Sequence, residues 1–188
     1  MQVKIRQTKS SLTIFSGLTN GSFSLTTFND LKTLPHFDPE LSLDNAPKAI
    51  LDFRKNIENA DGIVICTLEY IFSIPSGLKN TIEWWVSTTV FSNKPTGVIT
   101  ASASGEKGHE ELKLIMQTVM AKLTPDTALL IRGIKGKVNE QGDIIDSRQD
   151  SLRMEEVHYI SLCIRNAITQ TAHNSKKNND AYTFFHAL

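Results

Sequence analysis

The chain has no surplus of charge, few cysteines and no long apolar run, and each shortage removes a class of protein. Its 20 Lys and Arg are matched by 20 Asp and Glu over 188 residues. Binding a phosphate backbone needs a basic surplus, so no nucleic-acid partner is expected. No apolar stretch approaches the roughly 20 residues that span a bilayer, so no membrane partner is expected either. The opening MQVKIRQTKSS lacks the apolar core of a secretion signal. Two cysteines, Cys66 and Cys163, cannot build a disulfide framework and read as small buried hydrophobes. The histidines at 36, 109, 158, 173 and 186 lack ligand-like spacing and read as surface or loop residues, so no metal site is expected. No G-x-S-x-G nucleophile motif occurs. The chain reads as cytoplasmic.

What is present is ordinary globular material, 40% hydrophobic and 21% charged. A chain this long can bury roughly 70% of its unfolded surface around one core. Met1 to Ile5 alternates weakly, as a first strand would. Leu12, Ile14, Phe15 and Leu18 then follow at helical spacing, closed by Asn20-Gly21. Phe23 to Phe28 reads as a strand and Leu34 to Pro39 as a loop with two prolines. Pro47 to Asn59 reads as a helix with Ile50, Phe53 and Ile57 on one side. Further strands are expected at Thr96 to Ala101 and Ala128 to Ile131, with helices at Glu110 to Leu123 and Ser147 to Ala167. Gly133 to Asp143 is polar and reads as an exposed loop, and Asn174 to Asp180 reads as disordered. Strands alternating with helices predict a parallel sheet with both faces covered. The expected organisation is a single domain over residues 1–172 and a tail, partly disordered, over 173–188.

The most informative stretch is Ala60 to Trp85, ADGIVICTLEYIFSIPSGLKNTIEWW. Gly62 to Cys66 is a β-branched apolar run, the mark of a strand buried on both faces. Thr67 to Ser73 leaves that strand, and Pro75 suits the first turn of a helix. Sheets of this kind bind ligands beyond the carboxyl ends of their strands, which makes Thr67 to Ser73 one wall of any site. Leu78, Ile82 and Trp85 share the helix's core stripe. Trp84, about 100° further round, then falls beside or beyond it and suits an exposed contact anchor.

Thr67-Leu68-Glu69-Tyr70-Ile71, Ser73-Ile74-Pro75 and Leu78-Lys79-Asn80-Thr81-Ile82-Glu83-Trp84 resemble the NADPH-dependent FMN reductases. That family of flavodoxin-like flavoproteins includes quinone, azo-dye and chromate reductases. Its pattern reads T-P-E-Y-N, then a Ser or Gly, x-P and L-K-N-x-[ILV]-[DE]-W; Leu68 and Ile71 replace the usual Pro and Asn. Leu34 to Pro39 is similar to the family's L-P-x-[FY]-[DN]-P. The resemblance covers roughly Arg6 to Ile131. It implies a flavodoxin-like three-layer sandwich with a five-stranded parallel sheet. The implied activity passes hydride from NADPH or NADH through FMN to a quinone-like or other small-molecule acceptor, in a homodimer or tetramer. Leu68, Glu69, Tyr70 and Ile71 would frame the flavin ring or ribityl chain, and Ser102, Ala103, Ser104 and Gly105 would close over the ring.

The phosphate end is less complete. The family writes G-S-x-R-x-x-S there, and Arg6, Ser10 and Ser11 are the candidates for this role. The Gly-Ser pair and most of the strand before it have no counterpart in Met1 to Ile5. An upstream start, a deleted segment and a shortened turn at Lys4-Ile5 all account for this. The second reading is therefore a flavodoxin-like binding or regulatory module that has lost its cofactor. No side chain is expected to act as a catalytic acid or base.

Overall fold

The computed structural model describes residues 24–28, 30–102, 104–132 and 181–187. Strand β1 is Ser24–Phe28, followed by helix α1, Lys48–Asn59, and strand β2, Gly62–Thr67. Helix α2 is Ser76–Val86, β3 is Thr96–Ser102 and α3 is Glu106–Thr118. Strands β4, Ala128–Arg132, and β5, Ala181–Ala187, complete the described elements. The strands hydrogen-bond in the order β1-β5-β2-β3-β4, every pair parallel. No helix among the described residues is long and apolar enough to cross a membrane.

Strand β2 is buried at all six positions, as its β-branched run requires when both faces of a parallel sheet are covered. Its last residue, Thr67, is in register with Thr100 on β3 and with Ala187 on β5. The carboxyl ends of these three strands therefore reach one edge of the sheet. There the chain leaves β2 for α2 and β3 for α3.

Two segments depart from the sequence reading. The strand expected at Met1 to Ile5 lies outside the described residues, and the place between β1 and β2 is held by Ala181–Ala187, which composition had assigned to a tail. Tyr182-Thr183-Phe184-Phe185 has strong strand propensity. It follows the polar run Asn174 to Asp180, which masked a seven-residue element. Helix α3 begins at Glu106 rather than Glu110 and ends at Thr118 rather than Leu123. The expected elements at Leu12 to Leu18, Gly133 to Asp143 and Ser147 to Ala167, and the run Asn174 to Asp180, lie outside the described residues.

Helices α1 and α2 bury Ile50, Phe53, Ile57, Leu78, Ile82, Trp84 and Trp85 against the sheet. A chain of rings runs through this core. Phe28 and Phe53 are 4.6 Å apart, Phe53 stacks on Trp85 at 5.8 Å, and Trp85 meets Phe91 at 4.7 Å. Each such pair adds roughly 0.5–1.5 kcal/mol to the burial itself. At the amino-terminal edge of the sheet, Lys94 Nζ donates to the carbonyls of Ile57, Glu58 and Ala60, satisfying the end of α1.

Trp84 corrects an expectation, because it is fully buried rather than an exposed anchor. The loop Leu34 to Pro39 covers that side of α2. The Phe37 ring meets Trp84 edge-on at 5.2 Å, and Trp84 Nε1 donates to the Pro35 carbonyl at 3.0 Å. Asn80 completes the joint: its Oδ1 accepts from Phe37 N–H at 2.7 Å, and its Nδ2 donates to Pro35 O at 3.0 Å. The two motifs singled out in sequence, one in the loop and one on the helix, are thus halves of a single structural contact. Replacing Asn80 by Ala leaves the partly buried Phe37 N–H without its acceptor and Pro35 O with the Trp84 bond alone. Asn80→Ala is expected to cost about 2 kcal/mol, measured as a lower urea midpoint at unchanged slope.

Candidate functional site at the carboxyl edge of the sheet

Beyond Thr67 the chain folds into a tight reversal. Tyr70 N–H donates to Ser73 O at 2.8 Å and Ser73 N–H returns the bond to Tyr70 O at 3.1 Å. The two central residues, Ile71 and Phe72, have φ of 50° and 59°. That is the primed turn that Asn and Gly adopt readily and β-branched residues adopt at a cost of roughly 1–2 kcal/mol. Tyr70, Ile71 and Phe72 are 69%, 78% and 75% exposed, so the tip carries three apolar side chains into solvent. Among the described residues, no hydrogen bond satisfies the amides of Glu69, Ile71 or Phe72. The edge thus combines free donors with apolar surface.

Two carboxylates tie this turn to α3. Glu69 Oε1 accepts from Ser104 Oγ at 3.2 Å and from Gly105 N–H at 3.3 Å, while Oε2 accepts from Gly108 N–H at 2.9 Å. In return Glu111, on α3, accepts from Ser73 Oγ at 2.6 Å, Ile74 N–H at 3.2 Å and Lys79 Nζ at 3.1 Å. Burial pushes the Glu111 carboxyl up. The bonds from Ser73, Lys79 and Ile74 and the Lys79 charge outweigh that and leave it below the usual carboxylate value. Gly108 permits the contact, since a Cβ there would meet Ser73 O at 3.1 Å and Glu69 Cγ at 3.2 Å. Gly105, at φ 76°, makes the bend into the helix.

Of the residues nominated from sequence, Leu68 to Ile71 come together with Ser102, Ser104 and Gly105 at this edge. Ala103 lies outside the described residues, as do Arg6, Ser10 and Ser11. Glu69 faces α3, in the contacts given above. Sequence reasoning passed over Glu111, Gly108 and Phe72; a glycine in the first turn of a helix was the available signal for a close approach. His109 corrects another expectation, being buried on α3 with Nδ1 3.0 Å from Thr100 Oγ1. Burial, and then the Lys113 charge, lower its pKa against the opposing effect of Glu110.

Comparison with known proteins identifies a family. Residues 7–134 match the profile of a family described as NADPH-dependent FMN reductase. An NADH:(hydroxy)cinnamate reductase subunit of Vibrio ruber is 29% identical over 126 residues, 64% of this chain and 62% of that protein. The chain therefore spans less than two thirds of that relative's length. An NADH-dependent flavin reductase subunit of Lactobacillus johnsonii is 29% identical over 149 residues, 74% of this chain and 76% of the relative. A quinone reductase of Escherichia coli is 27% identical over 132 residues, 66% and 70% of the two chains. Among solved structures, the NAD(P)H:(acceptor) oxidoreductase FerB of Paracoccus denitrificans superposes with a TM-score of 0.69. It is 20% identical, with 90% of this chain and 92% of that one covered. The fold is α/β and flavodoxin-like.

Two outcomes test the geometry. Ile71→Asn is expected to raise stability by about 1 kcal/mol, because Asn tolerates the left-handed backbone and an exposed Ile buries little; chemical denaturation reads it. For Glu111 the folded pKa lies below the usual 4.5. Its stabilisation is present above that value and is lost as pH falls through the folded one. Glu111→Gln should therefore flatten this part of the acid limb in urea midpoints taken between about pH 3 and 7.

Proposed function

The chain belongs to the NADPH-dependent FMN reductase family, and from that membership we propose that it is an NAD(P)H-dependent oxidoreductase using FMN to reduce a quinone-like or other small acceptor. The observation that carries the reading is the turn at the end of β2. Amides of Glu69, Ile71 and Phe72 without a partner among the described residues stand beside the exposed Tyr70 at the carboxyl edge of a parallel sheet. This fits the ring end of a flavin, whose polar rim needs donors and whose flat faces need apolar cover. FMN, when bound, would supply the two-electron chemistry between nicotinamide and acceptor. The backbone of Leu68, Glu69, Tyr70 and Ile71, with the Tyr70 ring, would hold the flavin ring or ribityl chain from one side, and the loop of Ser102, Ala103, Ser104 and Gly105 from the other. Arg6, Ser10 and Ser11 are the proposed phosphate ligands. The sheet is read as five-stranded, with β5 between β1 and β2. A homodimer or tetramer and a cytoplasmic location belong to the same reading.

The comparisons favour this over the cofactor-free module. Fluorescence titration with FMN should give saturable one-to-one quenching. The loaded protein should then oxidise NADH or NADPH in the presence of a benzoquinone or naphthoquinone. Absence of quenching at micromolar FMN, or quenching without oxidation across several acceptors, would overturn the reading.

A further inference from the structure

We propose that the Glu69 side chain is a positioning group, whose carboxylate touches no cofactor and instead fixes the loop ending at Gly105 at the ligand edge. The inference rests on the FMN reading of this edge. A helix start leaves amides without intrahelical partners and carries a partial positive charge. Usually the residue just before the helix supplies a side-chain oxygen. Here that residue is Gly105, which has none to give. Glu69 performs the task from a different loop, its two oxygens accepting from Ser104 Oγ, Gly105 N–H and Gly108 N–H.

The consequence is a coupling of two walls. Ser104 Oγ and Gly105 N–H are engaged by Glu69, so this loop meets a ring through its backbone shape rather than through those donors. That shape is set from across the cleft. Glu111 makes the converse tie to Ser73 and Ile74, and the bare Cα of Gly108 lets the turn and helix touch directly. Three of the carboxylate's roughly four acceptor directions are so occupied, all toward α3 and the loop before it. Removal of the carboxylate should loosen the loop while leaving the chemistry of a bound cofactor intact.

The test compares wild type, Glu69→Ala, Glu69→Gln and Lys94→Met, the last loosening the opposite edge of the sheet. Three readouts are FMN Kd by fluorescence quenching, amide hydrogen exchange at Gly105 and Gly108, and turnover at saturating FMN. Glu69→Ala should weaken FMN about tenfold, speed exchange at both glycines, and leave saturated turnover within about twofold. Glu69→Gln should fall between wild type and Glu69→Ala, since its single amide oxygen can keep only one of the two sets of bonds and its NH2 meets a donor at the other. Lys94→Met should lose stability at unchanged Kd. Should Glu69→Ala not fold, Glu69→Asp replaces it, being too short to reach both Gly105 and Gly108. Wild-type Kd in Glu69→Ala, unchanged exchange, a collapse of saturated turnover, or an equal loss in Lys94→Met would each overturn the proposal. If wild type binds no FMN, the FMN reading fails instead, and exchange at the two glycines alone decides whether Glu69 holds the loop.

Discussion

The contact between the Leu68 to Ser73 turn and the first turn of α3 is the constraint on which the ligand edge depends. Two carboxylates cross it in opposite directions, and a glycine keeps the backbones close. Each carboxylate satisfies groups that a loop or a helix start would otherwise leave to water. Charge-assisted bonds of this kind are roughly twice as strong as neutral ones. Neither loop can then shift alone: moving the turn strips the helix of its cap, and moving the helix strips Ser73 and Ile74 of their acceptor. Rigidity at a sheet edge, where loops are ordinarily loose, is what a site for a flat ligand needs.

The rest of the fold supplies the platform. Strand β2 holds the turn's root by being buried on both faces. Helix α2 holds the far end of the same turn and is itself held by Asn80 and Trp84 against the Leu34 to Pro39 loop. A motif that reads as functional in sequence is therefore partly structural. Its Asn and Trp fix the helix, and its Glu fixes a neighbouring loop. What stays free to meet a ligand is narrower than the motif: the outward amides and the apolar tip.

Much of this was legible in the residues. The β-branched run of Gly62 to Cys66 announced a doubly buried strand, and Ile50, Phe53 and Ile57 announced the buried side of α1. Periodicity misjudged Trp84, because a helix wheel ranks faces without knowing that a distant loop will cover one of them. It also missed β5. Seven residues behind a polar run carry too few periods to stand out, and their place in the sheet is decided by pairing with strands far away in sequence. The partners of Glu111 and Gly108 were invisible for the same reason, since they lie 37 and 39 residues away in sequence. Local signals give elements; tertiary contacts give the site.

The tip of the turn brings stability and function into opposition. Ile71 occupies a left-handed backbone position that its β-branched side chain disfavours, and Phe72 beside it is also left-handed. Both expose most of their surface, so burial within the described fold does not offset the strain. Two unfavourable choices in succession, on a turn otherwise held by bonds at both ends, do not improve the folded chain by any local measure. Strain of this kind persists where the surrounding structure over-determines it, and it concentrates at ligand sites. A turn held by Glu69 and Glu111 can carry that strain without unravelling. The same ties that position the edge thus allow it to hold an apolar surface that water alone would not favour.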